Sequence, residues 1–239
     1  MRFVIMFLNK KCFLSGIATL GLALFFGLFI TASAQVNPIK ETLDRMDNNY
    51  KLLSSLKSEV TMVKTNAQLG TKDVSQGATI YLPERGKQKM YVRIDWTKPT
   101  AESMLVIGKE YKLYRPKLGQ AIEGTTSDAK NSGSAGGALA FISMSKAQVK
   151  ANYDVRYVGV EDIKDGTKTI HLQLTPKTKT TYKTAELWVD TNGMPRQATV
   201  TENNDDSTTV LLTNIKTNVS IKTEVFALKY APGTKIVKG

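Results

Sequence analysis

Apolar and polar residues alternate with period two through most of this chain. Met90, Val92, Ile94 and Trp96 fall on one side of an extended segment, with Tyr91, Arg93 and Asp95 on the other. That pattern predicts a strand with one wet face. Ala78, Ile80 and Leu82 alternate likewise with Thr79 and Tyr81, and Val60 and Met62 with Thr61 and Val63. The apolar run 104–107, a turn at Gly108 and the run 111–114 follow. Pro83, Pro99, Gly108 and Pro116 punctuate these segments at the spacing of an antiparallel meander. Beyond Asn152 the alternation resumes: Tyr153, Val155, Tyr157, then Ile170, Leu172, Leu174, then segments 185–189, 197–201 and 208–212. Turns are predicted at Asp165-Gly166, 190–193 and 203–206, and a last strand at 225–230.

Two stretches carry helical spacing instead. Asn37 can cap a helix whose first turn holds Pro38, and Ile39, Leu43, Met46, Leu53 and Leu56 recur at three- and four-residue steps. Residues 139–149, with Leu139, Phe141, Ile142, Met144 and Val149, predict a second short helix. It follows a small, polar, glycine- and serine-rich stretch, 123–137, that reads as a mobile loop. Such a loop before an apolar helix suits a movable lid, and equally an ordinary connection before a core helix. Ten or so antiparallel strands and about two helices make a mainly β fold. A sheet of that many strands curls as its twist accumulates, enclosing an apolar hollow that helices can cover.

The first 34 residues stand apart. Arg2, Lys10 and Lys11 form a basic head, 13–30 an apolar run, and Ala32-Ser33-Ala34 a small-residue cleavage site. A cleaved signal peptide is expected, with 35–239 as one domain in the periplasm; the alternative is an uncleaved membrane anchor. The single cysteine, Cys12, lies in the basic head, without the small and aliphatic residues that precede a lipidated cysteine. Removing 34 of 239 residues leaves 205 with no cysteine, so a hydrophobic core, not disulfides, has to hold the fold.

Of 33 basic and 21 acidic side chains, the leader holds three basic and none acidic, leaving 30 against 21, or +9. The lysines are dispersed among threonines and aromatics, which disfavours nucleic-acid binding. A basic surface can approach anionic lipid head groups or acidic partners, or simply keep the protein soluble.

Catalytic chemistry finds little footing. His171, the one histidine, falls opposite the apolar positions Ile170 and Leu172 and is expected to face solvent. Glu161, Asp162, Asp205 and Asp206 sit in turn-like polar runs, where solvated charge is the expectation. No zinc-type ligand set or phosphate-binding loop appears, and no cofactor or metal is expected.

Three runs carry a family resemblance: 92–99 (VRIDWTKP), 108–116 (GKEYKLYRP) with Gln120, and 174–177 (LTPK). They resemble LolA, the periplasmic carrier of outer-membrane lipoproteins. The 190–195 turn, the acidic turn and threonine-rich strand 203–212, Asn214, and Phe226 ahead of Pro232-Gly233 follow that family's order. The resemblance implies an incomplete, strongly curved β-barrel with a helical lid, a monomer holding lipoprotein acyl chains. It implies an inner-membrane ABC transporter of the Lol type as donor and an outer-membrane lipoprotein receptor as acceptor. The expected cavity residues are Met62, Ile80, Leu82, Val92, Ile94, Met104, Val106 and Leu113, with lid residues Leu43, Met46, Leu139, Phe141 and Met144; all can equally be ordinary core. The family usually places an Arg-Pro pair ahead of the strand at 92–96 to tie the lid to the barrel. Here the segment reads PERGKQK, with Arg85 the nearest candidate for lid control, or part of a solvated hairpin turn.

Two other classes stay open. The same barrel resembles the lipid-sensing domain of RseB-type regulators, whose second C-terminal domain has no room before Gly239. An envelope glycan hydrolase would require two carboxylates facing one cleft.

Overall fold

The computed structural model describes residues 37–125 and 144–239, within a unit spanning Val36–Gly239. The expected leader, most of the 123–137 loop, Leu139 and Phe141 lie outside the described residues. Helix α1 (Pro38–Leu52) starts where its cap is: the Asn37 side chain accepts from the backbone N–H groups of Ile39 and Lys40, both at 3.1 Å. Its inner face buries Thr42, Leu43 and Met46, while pairs such as Lys51–Asp47 hold the wet face. Leu53 is the C-cap and Leu56 already opens β1 (Leu56–Thr65), so the helical stripe stops one turn short of its expected end. Both leucines pack with Met194 in a small cluster of their own.

The strands that follow are β2 (Lys72–Leu82), β3 (Tyr91–Lys98), β4 (Glu102–Ile107), β5 (Glu110–Arg115) and β6 (Gln120–Thr125). After α2 (Lys146–Asn152) come β7 (Tyr153–Asp162), β8 (Lys168–Pro176), β9 (Tyr182–Asp190), β10 (Pro195–Glu202), β11 (Ser207–Thr217) and β12 (Lys235–Lys238). Helix α2 begins at a capping box, with Ser145 and Gln148 satisfying each other's backbone N–H. The described part of the second helix thus starts later than its apolar residues suggest.

All twelve strands form one sheet in the order β12-β6-β5-β4-β3-β2-β1-β11-β10-β9-β8-β7. Strand β1 joins the two meanders, pairing with β2 on one side and β11 on the other. The sheet is strongly curved and unclosed, with β12 and β7 at its ends. Gly77 contributes to the bend. A Cβ there would stand 2.2 Å from the Asp95 carbonyl oxygen, so β2 and β3 approach at this point more closely than any side chain permits.

The concave side of β8–β11 and β1 is a closed core. Leu172, Leu187, Val210, Leu212 and Val60 pack there against Leu43 and Met46 of α1 and Val149 of α2. Each such aliphatic side chain contributes about 1.5–3 kcal/mol on burial. The convex side of β2–β5 has a second core, Leu82 and Leu105 under Phe226, flanked by Ile80, Tyr91 and Ile107.

That second core corrects two expectations. The segment 225–230 is not a strand: Thr223–Phe226 is a 3-10 turn, Phe226 is driven into the convex cluster, and the carbonyl of Val225 accepts from Arg93. The last strand is β12, parallel to β6. His171 does not face solvent either. It is buried on the outer face, stacked 4.2 Å from Trp188, with Nδ1 2.9 Å from Glu161. Large neighbours on adjacent strands cover a position that alternation marks as wet.

Candidate functional site

Directly opposed residues on neighbouring strands point to the same face. Thr79, Ile94, Met104, Leu113 and Ile122 are opposed in turn across β2–β6, and form one row on the concave side. Tyr81, Val92, Val106 and Tyr111 form the next. Five of the expected cavity residues, Val92, Ile94, Met104, Val106 and Leu113, therefore lie in two adjacent rows. Met62 is buried on β1 in the core that Ile94 shares, together with Leu43 and Met46, and Met144 packs against it.

Ile80 and Leu82 belong elsewhere. Ile80 opposes Lys57 and Arg93, and Leu82 opposes Tyr91, so both point to the convex side and pack in the cluster around Phe226. On β2 the concave positions are Ser75, Gly77, Thr79 and Tyr81, the polar half of the alternation. The apolar half lies on the other face, where the C-terminal segment covers it.

Burial is graded across the concave side. Next to α1 the side chains are sealed: Leu172, Val210 and Ile94 have 0 % exposure. Toward β6 they are half-buried, including Val92, Met104, Val106, Leu113 and Ile122. The half-buried wall is apolar, weakly directional and continuous over four strands, which suits a hydrocarbon better than a polar ligand. Two surface concavities of about 340 Å³ lie away from it, one at the β8–β9 turn around Lys179 and Tyr182, the other along the outer side of α1 around Asp44 and Asn48.

Helix α1 is held onto the sheet by side chains at several points. Arg85, in the β2–β3 connection, donates through Nη2 to the carbonyls of Tyr50 and, at 3.2 Å, Leu53. These are carbonyls that the helix end leaves without intrahelical partners. The connection is a tight turn in which Arg85 and Gln88 exchange backbone hydrogen bonds of 3.1 and 2.9 Å. Arg85 therefore sits in a hairpin turn and also binds the C-terminal end of α1. Arg45 Nη1 reaches the Thr191 carbonyl at 3.2 Å. Asp44 pairs with Lys146 of α2, and the ammonium groups of Lys146 and Lys40 hold its carboxyl below the usual range. At Gly193, φ is +82° and a Cβ would stand 2.3 Å from the Arg45 backbone, so the β9–β10 turn touches the helix directly. Sequence reading missed Arg45 and Gly193, since no local pattern marks a turn that meets a helix far away in the chain.

Titratable groups gather on the outer face around His171. Glu161 accepts from Trp188 Nε1 at 2.9 Å and contacts His171, contacts that hold its carboxyl below the ordinary glutamate value. Glu186 stands 3.7 Å from His171 Nε2. Among the described residues no group of three or more His, Cys, Asp or Glu is placed to hold a metal ion, and no helix is long and apolar enough to cross a membrane.

The chain is similar to several solved structures. An uncharacterized conserved protein from Thermus thermophilus superposes with a TM-score of 0.53 at 13 % identity, over 84 % of this chain and 99 % of that one. MucB, in the Pseudomonas aeruginosa MucA/MucB complex, gives 0.50 at 14 % identity, over 82 % of this chain and 62 % of that one. The LolA superfamily protein NE2245 from Nitrosomonas europaea gives 0.40 at 15 % identity, over 79 % and 97 %. No curated protein matches the chain in sequence. The family model described as outer membrane lipoprotein carrier protein LolA matches residues 86–229, a span from the β2–β3 turn through the half-buried wall to the segment that backs it, and the chain belongs to that LolA family.

Proposed function

We propose that this protein is a non-catalytic periplasmic carrier, exported by a cleaved signal peptide, that shelters the acyl chains of lipoproteins on the concave wall of β3–β6. It shuttles them from an inner-membrane ABC transporter of the Lol type to an outer-membrane lipoprotein receptor. The observation that carries the reading is the row Ile94, Met104, Leu113 and Ile122, which passes from fully buried to half-buried under one sheet. An acyl chain cannot cross water bare, because each exposed methylene costs about 0.8 kcal/mol. A carrier must bury the chain and then release it. A wall without directional polar groups, beside a helix fastened by a few side-chain contacts, supports both steps. In this reading α1 is the movable cover, Arg85 its latch, and Leu43, Met46 and Met144 close over the cargo.

A second reading, a lipid-sensing regulatory module of the RseB type, is favoured by the likeness to MucB, solved in complex with MucA. The two separate in one experiment. Protein recovered from the periplasm is analysed by native mass spectrometry for acylated peptide, then added to spheroplasts. Co-purified acylated peptide and release of lipoproteins are expected of a carrier. Clean protein that releases none overturns it.

A further inference from the structure

Alternate turns of an antiparallel sheet lie at the same end, so residues 66–71 between β1 and β2, 99–101 between β3 and β4, and 116–119 between β5 and β6 share one end of the sheet. Two of them hold a leucine out into solvent. Leu69 is 75 % exposed and Leu118 68 %. Neither is on a loose loop. Leu69 is presented by a turn in which its N–H bonds the Asn66 side chain at 2.7 Å and the Gly70 N–H bonds the Asn66 carbonyl at 2.9 Å. Asp206 fastens the same turn through the Ala67 N–H at 2.8 Å. Leu118 ends the 3-10 turn Pro116–Leu118, closed by Gly119 N–H on the Pro116 carbonyl at 3.0 Å. The turns are four strands apart, roughly 19 Å at the ordinary strand spacing.

Cations surround these tips. Lys72 follows the first turn, Lys98 enters the middle one beside exposed Pro99, Lys117 precedes Leu118, and Lys235 opens β12 with its N–H on the Gly119 carbonyl; all four lysines are exposed. The carboxylates beside these turns are Asp73, Glu102, Glu202, Asp205 and Asp206; Glu102 is engaged by Arg115 at 3.4 Å, Asp205 by Lys183, and Asp206 by the Ala67 N–H. Ordered leucines raised above a ring of lysines match a lipid–water interface: the leucines enter the acyl boundary while the ammonium groups stay among anionic head groups.

We propose that this end of the sheet docks on the surface of an anionic phospholipid bilayer. The same end carries Trp96, at the edge of the concave wall, so a docked molecule brings the rim of the groove to the membrane. Docking needs no occupant on that wall, so it stands or falls apart from the carrier reading.

The test is co-sedimentation of protein purified after export from cells expressing the full chain. The vesicles are equimolar phosphatidylcholine and phosphatidylglycerol, compared with phosphatidylcholine alone. Binding is expected to the anionic vesicles, weakened by salt. The L69Q/L118Q variant should partition about tenfold more weakly per leucine removed, as expected for losing most of a leucine's transfer energy. K72Q, K98Q and K117Q should each lose about fivefold. All the variants share whatever leader remains, so their differences report the patch. Absence of binding to anionic vesicles, equal binding to both, or an L69Q/L118Q variant that binds like the parent overturns the proposal. So does sedimentation showing a dimer that L69Q/L118Q dissociates, which would make the patch an interface between copies. Loss of acylated cargo in a concave-wall variant with vesicle binding intact would leave docking standing.

Discussion

The Arg85 guanidinium lies 4.9 Å from the centre of the Tyr50 ring and donates to the carbonyl of the same residue. One planar cation thus meets both the face of an aromatic ring and the carbonyls at the end of α1, a combination that lysine cannot reproduce. Replacing Arg85 with Leu or Lys should loosen the end of α1 by about 1 kcal/mol, the scale of an exposed charge-assisted contact. Hydrogen exchange at residues 50–53 should then speed up about fivefold, with the exchange of β10 and β11 unchanged. Equal protection in R85L and the parent would show that Arg85 does not latch the helix.

Gly193 tests how α1 is seated. Alanine there would have to hold φ near +82° and push against the Arg45 backbone, both of which a methyl resists. G193A should lose about 2 kcal/mol or more, read as a lowered urea midpoint at constant m-value. A midpoint within error of the parent would mean that the turn and the helix separate readily.

The concave row separates core from site within a few residues. Ile94 is sealed, and truncation to Ala should destabilise the fold by about 2–4 kcal/mol. Met104 and Leu113 are half-buried, so M104Q and L113Q should lower stability less while reducing acyl binding severalfold. The paired measurement is urea unfolding together with displacement of a fluorescent fatty acid. Unchanged fatty-acid affinity in both variants would remove this wall from the site.

The C-terminal segment predicts a pH dependence. Tyr230 donates to Glu123 at 2.8 Å, and Lys112 reaches the same carboxylate oxygen at 3.0 Å; the two donors hold the Glu123 carboxyl below its usual value. A depressed carboxylate stabilises the fold above its unfolded value of 4.5, and the contribution is lost as pH falls through the lower native value. Burial, with the Glu123 contact, pushes the Tyr230 hydroxyl up to about 12. Its contribution is complete below pH 10 and disappears as pH rises toward that value. The difference in urea midpoint between the parent and E123Q should therefore be constant near neutrality and shrink in acid. A difference independent of pH would show that Glu123 is not held as a carboxylate by these partners.

Several features were legible in the chain because their causes are local. Asn37 and Pro38 fix the start of α1 through one side-chain cap and one restricted φ. The turns at 165–166, 190–193 and 203–206 fall where short polar residues and glycine mark them, and the alternation within β11 matches its buried positions Thr208, Val210 and Leu212.

The errors arose where distant segments meet. Period two states which residues of β2 point the same way as Ile80, but not whether that way is the concave or the convex side. The answer depends on register against β1 and β3 and on Phe226, more than a hundred residues later, lying across the back. His171 follows the same logic: its strand leaves it outward, and Trp188 and Glu161 from neighbouring strands then bury it. The sequence by itself determined most of the strands, the start of the first helix and the family, since these rest on side chains within a few residues of one another. Tertiary structure alone decided which apolar face is concave, which is backed by Phe226, and which residues hold α1, because each is set by contacts between segments far apart in the chain.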